Sequence, residues 1–433
     1  MGGETVRNLS ISGKRVRKLK ASVMIVVLLL AACSTGVMTD DSSEKVTLTM
    51  WFWRGSGFEK IIPEFEKAHP NIDIQPQIMR FDDAHSKLFT TLSAGSGAPD
   101  IAMVDISQLD SFLQYPGMFY NLNDFGAPSI KNRYLDWKWN QAVRGDHVVG
   151  LPTDIGPTVM YYRKDLFEKA GLPTEPDEVT KRIQTWEDYI EAGIQLKRET
   201  GKYMISSPWH FFMAVRDQGD HPYFNRKNQL VLGTDPQTKK AWNLMIEVKE
   251  KEIAGTYGDG TPEEGAALNK GDVSTVLSAA WKKGHIESNA PDAKGKWRAA
   301  LMPEGTANMA GSFLTLPKQG KHPEEAYQAI QWLLAPEQQL DIFEDEGNFP
   351  STPSVYDDPA IHDTSYEYWG GQKMGRLFAK AAKRAKANYM GPEYRAVDSL
   401  VEEQIDLIIH SDKDPKQAWK DLLERVQNQL KRG

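Results

Sequence analysis

The chain has 433 residues, a formal net charge of −7 and a single cysteine, Cys33. A chain of this length exceeds what one hydrophobic core usually holds, so two domains are expected. The acidic balance argues against a nucleic-acid partner, which requires clustered lysine and arginine. One cysteine also excludes a disulfide within the chain.

Residues 1–32 have the three-part layout of an export signal peptide. Six basic side chains and one acid lie in the first twenty residues, and an uncharged run of twelve follows from Ala21 to Ala32. Spanning a bilayer takes about 20 apolar residues, so the pattern predicts an export signal rather than a retained membrane helix. Without this segment, the remaining chain carries a net charge of −12.

The end of the signal, Leu30–Cys33 (LAAC), resembles the lipobox of bacterial lipoproteins. This resemblance implies cleavage before Cys33 and a diacylglycerol thioether on its sulfur; two acyl chains anchor a protein stably. The alternative is an ordinary buried cysteine. Because Thr39–Glu44 (TDDSSE) is polar, we expect residues 33–44 to be a lipidated flexible tether, and the membrane contact to be made by the lipid.

The first part of the body alternates between strand and helix patterns. Lys45–Trp53 predicts a buried strand, and the next segment has helical spacing of Phe58, Ile61, Ile62 and Phe65. The segments NIDIQPQIM, DAHSKLFTTLSAG and DIAMVD then predict strand, helix and strand. The alternation predicts an α/β domain with a mainly parallel sheet. Ligands bind at the carboxyl ends of such strands, which selects Trp53, Arg54, Asp82 and Asp105.

A second unit begins near residue 148. Strands are predicted at Val148–Leu151 and Thr158–Tyr162, and TWEDYIEAGIQLKRETG predicts an amphipathic helix with Thr185 as N-cap. DVSTVLSAAW predicts a buried strand ending at Trp281, and NMAGSFLTLP predicts a strand that crosses back. Two amphipathic helices are predicted after Pro392.

Motifs for catalysis are missing from the sequence. It contains no HExxH, GxSxG, GxGxxG or phosphate loop, and its nine histidines lack metal-ligand spacing. A carboxylate pair for glycoside hydrolysis stays an alternative, because 59 acidic residues always allow some pair. We therefore expect a binding protein rather than an enzyme, without a cofactor or a metal.

Twelve tryptophans stand out, several of them beside turn residues: Trp53, Trp209, Trp281 and Trp369. An indole face can stack on the apolar face of a sugar ring, while carboxylates accept hydrogen bonds from its hydroxyls. A tryptophan is more often part of a core, which is the interpretation for Trp332 and Trp419 in helix stripes. For the first three turn-flanking tryptophans, a position in a binding cleft is the competing interpretation.

Motifs in a fixed order then support a family resemblance. The segments KVTLTMWFW, LSAGSGAPDIAMVD, GLPTDIGPTVMYYRKDLFEKAGLP, LNKGDVSTVLSAAW and GNFPS resemble the family 1 extracellular solute-binding proteins. These are the sugar-binding components of bacterial ABC importers and are related to maltose-binding protein. The resemblance implies a two-lobed periplasmic-binding-protein-like fold of type II, with a mainly parallel sheet flanked by helices in each lobe.

The same resemblance implies domain boundaries and hinge crossings. Lobe 1 would comprise residues 45–151 and 314–360, and lobe 2 residues 152–313 and 361–433 with the C-terminal helices. The crossings would lie near Pro152–Pro157 and Ala310–Leu316.

The resemblance also assigns roles to single residues. Trp209 and Trp281 match aromatic residues that stack on sugar, and Asp154 matches a carboxylate for sugar hydroxyls. Small residues at the second crossing, Gly311 and Ser312, let the backbone approach a ligand. The complete predicted ligand-binding set is Trp53, Arg54, Asp82, Asp105, Asp154, Trp209, Trp281, Gly311, Ser312 and Trp369.

The expected function is capture of a carbohydrate, an oligosaccharide, by a monomeric, lipid-anchored, extracytoplasmic receptor that delivers it to an ABC permease. Trp53 and Arg54 replace the short polar groups of maltose-binding protein, which argues against maltose itself. Arg54 can clamp a carboxylate, but arginine also donates to hydroxyls, so a neutral sugar is favoured over an acidic one.

Two other classes of protein remain as alternatives. One is a surface glycoside hydrolase or lyase, which would turn its substrate over. The other is a ferric or polyamine receptor with the same two lobes, since consecutive tyrosines coordinate iron in ferric-binding proteins. Adjacent strand residues point to opposite faces, so Tyr161 and Tyr162 are interpreted as structural.

Overall fold

The computed structural model describes residues 45–431. The predicted signal peptide, tether and lipidation site at Cys33 lie outside the described residues. The described residues all belong to one compact unit. Among the helices of the described range, none is both long and apolar enough to traverse a bilayer.

Twelve strands occur in the described residues: β1 Val46–Trp53, β2 Ile72–Met79, β3 Ile101–Asp105, β4 Val143–Arg144, β5 His147–Val148, β6 Gly150–Pro152, β7 Asp154–Ile155, β8 Thr158–Arg163, β9 Thr275–Ala279, β10 Trp297–Leu301, β11 Ser312–Thr315 and β12 Phe349–Pro350. The same residues form these α-helices: α1 Phe58–Ala68, α2 Phe81–Ala94, α3 Ile106–Phe112, α4 Asp136–Gln141, α5 Lys164–Lys169, α6 Pro176–Arg182, α7 Trp186–Thr200, α8 Pro208–Arg216, α9 Pro236–Glu250, α10 Pro262–Lys270, α11 Lys282–Asn289, α12 Pro323–Leu333, α13 Pro336–Glu346, α14 Pro359–Asp363, α15 Met374–Ala382, α16 Tyr394–His410 and α17 Pro415–Leu430.

The first sheet has the strand order β2-β1-β3-β11-β6. Strand β1 pairs in parallel with β2 and β3, whereas β11 runs antiparallel to both β3 and β6. Alternating residues of β1 explain the layering, because Met50 and Phe52 pack with α1 and α12 on one face and Trp51 packs with α2 on the other. Helices therefore cover both faces of this sheet.

The second sheet has the order β10-β8-β9, and both of its pairings are antiparallel. The prediction of a mainly parallel sheet in each lobe is therefore wrong for this sheet. A hydrophobic pattern records which residues are buried, and a fully buried strand has the same pattern in either direction. The antiparallel pairing does not change the α/β class of the fold, and helices still cover both faces of the first sheet.

Two segments connect the sheets. The chain leaves the first sheet after β6 and enters the second at β8, and it returns between β10 and β11. The two segments run side by side: Gly156 N donates to Asn308 Oδ1 at 2.9 Å, and Met309 N donates to Gly156 O at 2.8 Å. The predicted boundaries of the lobes stay predictions.

Local sequence signals fix several elements where they were predicted. Helix α7 begins with a capping box in which the Thr185 hydroxyl accepts from Asp188 N and the Asp188 carboxylate accepts from Thr185 N. Each of these contacts satisfies a backbone N–H that the first helical turn leaves without a partner. The C-terminal pair α16 and α17 packs together as two amphipathic helices.

Candidate functional site

The first part of the candidate site lies at the carboxyl end of β1. Trp53 is half-buried and its ring lies 5.1 Å from those of Phe81 and His85, both in the first turns of α2. Arg54 follows on the loop and is exposed. Asp82 is exposed next to Phe81, and its carboxylate lies 3.6 Å from Arg395. The packing of Trp53 on α2 holds one indole at the edge of the sheet.

Asp105, at the carboxyl end of β3, is only 4 % exposed. Its carboxylate caps α3 by accepting from Ser107 N at 2.8 Å, and its second oxygen accepts from the Ser312 hydroxyl at 3.3 Å. Its own N–H donates to His85 Nε2 at 3.0 Å, while His85 Nδ1 donates to Phe81 O at 2.8 Å. This pattern requires a neutral His85, and burial lowers the pKa of that imidazole despite the nearby charge of Asp105.

Asp154 lies on the first crossing, in β7, and is half-buried. Its Oδ1 accepts from Ser312 N at 3.0 Å and from the Thr153 hydroxyl. Burial raises the pKa of this carboxyl, while the charge of Lys138 and these hydrogen bonds work in the opposite direction. Ser312 therefore binds both predicted carboxylates, Asp154 through its N–H and Asp105 through its hydroxyl.

Lys138, on α4, completes this group and was not found from the sequence. It is fully buried, and its ammonium has no hydrogen-bond partner among the described residues. Nζ lies 3.9 Å from the centroid of the Phe313 ring. Burial lowers the pKa of Lys138 to about 8, although the charges of Asp154 and Asp105 act to raise it.

The second crossing passes directly over this lysine with an unusual backbone. Ala310 has φ 72° and Gly311 has φ 97°, both in the left-handed region. A Cβ at Gly311 would lie 2.7 Å from Asp154 O and 2.9 Å from Lys138 Nζ. Glycine is therefore required at 311 by both conformation and space.

Trp209 and Trp281 lie at the start of two helices, α8 and α11. Trp209, in the first turn of α8, is 8 % exposed and packs on Phe212 with ring centroids 5.8 Å apart. Trp281 precedes α11 and is half-buried, and its indole N–H donates to Met309 O at 3.4 Å. That hydrogen bond places Trp281 against the second crossing, two residues from Gly311.

A charged cluster that sequence reasoning missed joins these two helices. Asp259 Oδ1 lies 2.7 Å from Lys282 Nζ and 3.5 Å from His210 Nε2, the neighbours in sequence of Trp281 and Trp209. Burial acts to raise the pKa of Asp259, but the close approach of His210 and the charge and hydrogen bond of Lys282 outweigh it and hold the pKa well below its usual range. Nothing in the local sequence around Asp259 marks it, because its partners are distant in the chain.

The same cluster has the spacing of a possible metal site. Ligand atoms of His210, Asp259 and Glu264 lie within 4.8 Å of one another. Lys282 Nζ lies 2.7 Å from Asp259 and 3.6 Å from Glu264, so an ammonium already supplies the positive charge there. This arrangement favours an ion-pair cluster over a metal centre.

Trp369 is not part of this site. It is 0 % exposed, its ring packs 5.2 Å from Tyr161, and its indole N–H donates to Glu287 at 2.5 Å. Its prediction as a ligand-binding aromatic is wrong for this structure, because Gly370 and Gly371 mark a turn at the end of a buried segment rather than a cleft.

The tyrosine pair is divided between the two faces of β8. Tyr161 OH donates to Ala279 O at 2.9 Å, and Tyr162 OH donates to Thr174 O at 2.7 Å. Both are fully buried in different parts of the core. They cannot act together on one metal ion.

Gly347 and Asn348 form a short loop that contacts both the loop after β1 and the segment around Trp281. Asn348 donates to Gly55 O at 2.8 Å, beside Trp53. The position of a Cβ at Gly347 lies 3.5 Å from Ala280 O and 3.9 Å from the Cα of Trp281. The structure thus brings Trp53, Asp105, Asp154, Gly311, Ser312 and Trp281 around the two crossings, with Trp209 linked to Trp281 through Asp259.

Comparisons with known proteins fit this architecture. Residues 60–366 match the family model described as bacterial extracellular solute-binding protein. The chain is 28% identical over 360 residues to the arabinooligosaccharide-binding protein of Halalkalibacterium halodurans, covering 78% of this chain and 79% of that protein. It is 26% identical to the arabinooligosaccharide-binding protein of Bacillus subtilis, covering 94% and 97% of the two chains.

Solved structures give the same result. A crystal structure of an extracellular solute-binding protein family 1 member superimposes with a TM-score of 0.83 and 30% identity, covering 88% of this chain and 99% of that one. The galacto-N-biose-/lacto-N-biose I-binding protein of Bifidobacterium longum shares the fold, with a TM-score of 0.76 at 21% identity over 90% of this chain and 98% of the other. The chain belongs to the bacterial extracellular solute-binding protein family.

Proposed function

We propose that this protein is the extracytoplasmic receptor of an ABC importer and that it binds a neutral oligosaccharide. Support comes from the two relatives named as arabinooligosaccharide-binding proteins, and from a relative in Rhizobium radiobacter named as a lactose-binding protein, 25% identical over 84% of this chain. These relatives are binding proteins, in keeping with capture and release without chemistry.

One observation supports the placement of the ligand more than any other. Ser312 holds Asp105 from the first sheet and Asp154 from the first crossing, while Trp281 is hydrogen-bonded to the second crossing at Met309. A sugar lying against the crossings would meet carboxylate oxygens and an indole at once. Groups from both sides of the crossings would therefore enclose it.

The division of roles follows from the hydrogen bonds. Asp154 Oδ1 is occupied by Thr153 and Ser312, whereas Oδ2 accepts no hydrogen bond from residues 45–431. That oxygen would accept from a sugar hydroxyl, and the Trp53 and Trp281 rings would stack on sugar faces. Arg54, exposed beside Trp53, would donate to hydroxyl or ring oxygens.

We further propose that Cys33 carries a lipid anchor and that the partner is the permease of the importer. The LAAC sequence that ends the signal-like segment supports the anchor. Expression of the full chain with Cys33→Ser would release the protein from the membrane fraction. Retention of this variant in the membrane would refute the anchor.

The binding test uses the chain beginning at Glu44, whose described residues form one compact unit. Thermal unfolding would be followed with arabinotriose, lactose, maltotriose, a uronic acid oligosaccharide, ferric citrate and spermidine. A ligand that binds only the folded state raises the melting temperature by mass action. A shift with a neutral sugar alone supports the proposal, and a shift only with ferric citrate or spermidine refutes it.

Site variants then locate the binding. Trp281→Ala should weaken sugar binding by about fivefold or more, since aromatic contacts are worth roughly 1 kcal/mol or above. Trp332→Ala is the matched control, because Trp332 packs on α1 away from the crossings. Product release from the oligosaccharides during the same incubation would instead indicate a glycosidase or lyase.

A further inference from the structure

A groove of about 480 Å³ lies at the surface between α9 and the first turn of α17. Small-molecule sites in proteins typically have volumes of about 300–1,000 Å³. The groove is lined by none of the residues assigned to the sugar cleft. Two tryptophans, one from each helix, form its apolar wall.

The two indoles are inclined to each other. Trp242 and Trp419 have ring centroids 4.9 Å apart at an interplanar angle of 54°. Trp242 is only 4 % exposed, and its indole N–H makes no hydrogen bond to any residue between 45 and 431. This nitrogen keeps some contact with solvent rather than being enclosed by protein. A ligand with an apolar face and acceptor oxygens would suit this donor and the two aromatic faces.

The rim of the groove has a balanced set of polar groups. Lys239, Asn243, Glu250, Asp414 and Lys416 line it, so two cations, two acids and an amide face the same space. Within the part of the chain that the structure describes, Lys239, Glu250 and Lys416 form no ion pair. A net charge of zero around the rim favours neither an anion nor a cation. Hydroxyl groups, which both donate and accept, suit this mixture.

The groove is separated from the cleft by a layer of aromatic rings. Trp209 packs on Phe212 at 5.8 Å, and Phe212 meets Trp242 edge-on at 6.3 Å. Trp209 is the residue predicted to face the cleft, so Trp242 lies on the far side of this row. A ligand in the groove would not touch the groups that surround the crossings.

We propose that the groove between α9 and α17 is a second saccharide site, which takes one or two neutral sugar units against Trp242 and Trp419. The site supplies stacking from the indoles, one indole N–H donor, and donors and acceptors from both signs of charge. It does not depend on the cleft proposal, because no residue is shared.

The test follows the tryptophan indole N–H signals by NMR in the ¹⁵N-labelled chain beginning at Glu44. Arabinotriose, lactose and maltotriose would be added separately up to about 50 mM, so that a dissociation constant of about 1–10 mM gives a saturable shift. The expected result is a saturable shift of the Trp242 and Trp419 signals, with a midpoint that differs from any shift of Trp281.

Variants make the test specific. Asn243 is exposed on α9, so Asn243→Phe should fill the groove without loss of the fold and abolish the shifts of Trp242 and Trp419. Lys420→Phe is the matched control, since Lys420 is exposed on α17 but does not line the groove. Signals of Trp242 and Trp419 that stay unmoved by all three sugars would overturn the proposal. Shifts that persist unchanged in Asn243→Phe would overturn it as well.

Discussion

The pH dependence of stability tests the burial of the Lys138 ammonium. In the folded protein the pKa of Lys138 is about 8, against an ordinary value of 10.5. Below pH 8 the lysine is charged in both states, and folding carries the full cost of removing the charge from water. Between pH 8 and 10.5 the unfolded chain still binds the proton and the folded chain does not. The free energy of unfolding therefore rises with pH across this window.

The size of the effect follows from the two pKa values. One pKa unit corresponds to about 1.36 kcal/mol, so the whole window is worth about 3 kcal/mol. Integrating the difference in bound protons between the unfolded and folded states from pH 7.5 to pH 10 gives about 2 kcal/mol. The value is smaller than for the whole window because Lys138 is not fully titrated in either state at these limits.

The comparison that isolates this contribution is wild type against Lys138→Met. Urea unfolding of the chain from Glu44 would be measured at constant ionic strength at several pH values within this range. Tyrosines and exposed lysines titrate in both proteins and cancel in the difference. The stability of wild type relative to Lys138→Met should rise by about 2 kcal/mol from pH 7.5 to pH 10.

A control variant keeps the interpretation sharp. Lys67→Met removes an exposed lysine from α1 and should leave the pH dependence of stability close to that of wild type. A difference between wild type and Lys138→Met that stays flat across the range would refute the reasoning. It would mean that Lys138 keeps an ordinary pKa because solvent or a partner reaches its ammonium.

Three further substitutions have expected outcomes. Trp369→Ala should lower the free energy of unfolding by about 3–5 kcal/mol and leave sugar affinity of the folded protein unchanged; a loss of affinity measured by calorimetry, with normal stability, would restore Trp369 to the site. Thr185→Ala should cost about 1 kcal/mol in urea unfolding because it removes the cap of α7, and no change would mean that the capping box is not formed. Ala310→Gly should stabilise the protein by about 1 kcal/mol, since glycine tolerates the left-handed backbone; a loss of stability would contradict strain at this residue.

Local patterns in the sequence were sufficient for many elements. The helical spacing of Phe58, Ile61, Ile62 and Phe65 predicted α1, and all four side chains are buried. Thr185 was predicted as an N-cap, and it forms the cap of α7. These features depend on residues that are close in sequence, so a periodic pattern or a single motif records them.

Features that depend on distant contacts were missed. Lys138 lies between Trp137 and Trp139, and its burial arises from Phe313, which is far away in the chain. Asp259 forms the centre of an ion-pair cluster because it contacts Lys282 and His210, which lie on two different helices. Trp369 is followed by Gly370 and Gly371, a context typical of a tryptophan in a loop, yet its ring packs on Tyr161 in the core. A charged or aromatic residue therefore shows its role only when its neighbours in space are known.

The backbone of Ala310 has a consequence for the segment that connects the two sheets. A left-handed alanine costs about 1 kcal/mol or more relative to its ordinary conformation, and in this structure that cost is located in the segment that connects the sheets. Any rearrangement that lets Ala310 return to the ordinary region gains this energy, which is about a fivefold change in an equilibrium constant. The second crossing is thus biased against the arrangement it now holds, and any motion that relaxes Ala310 is favoured by that amount.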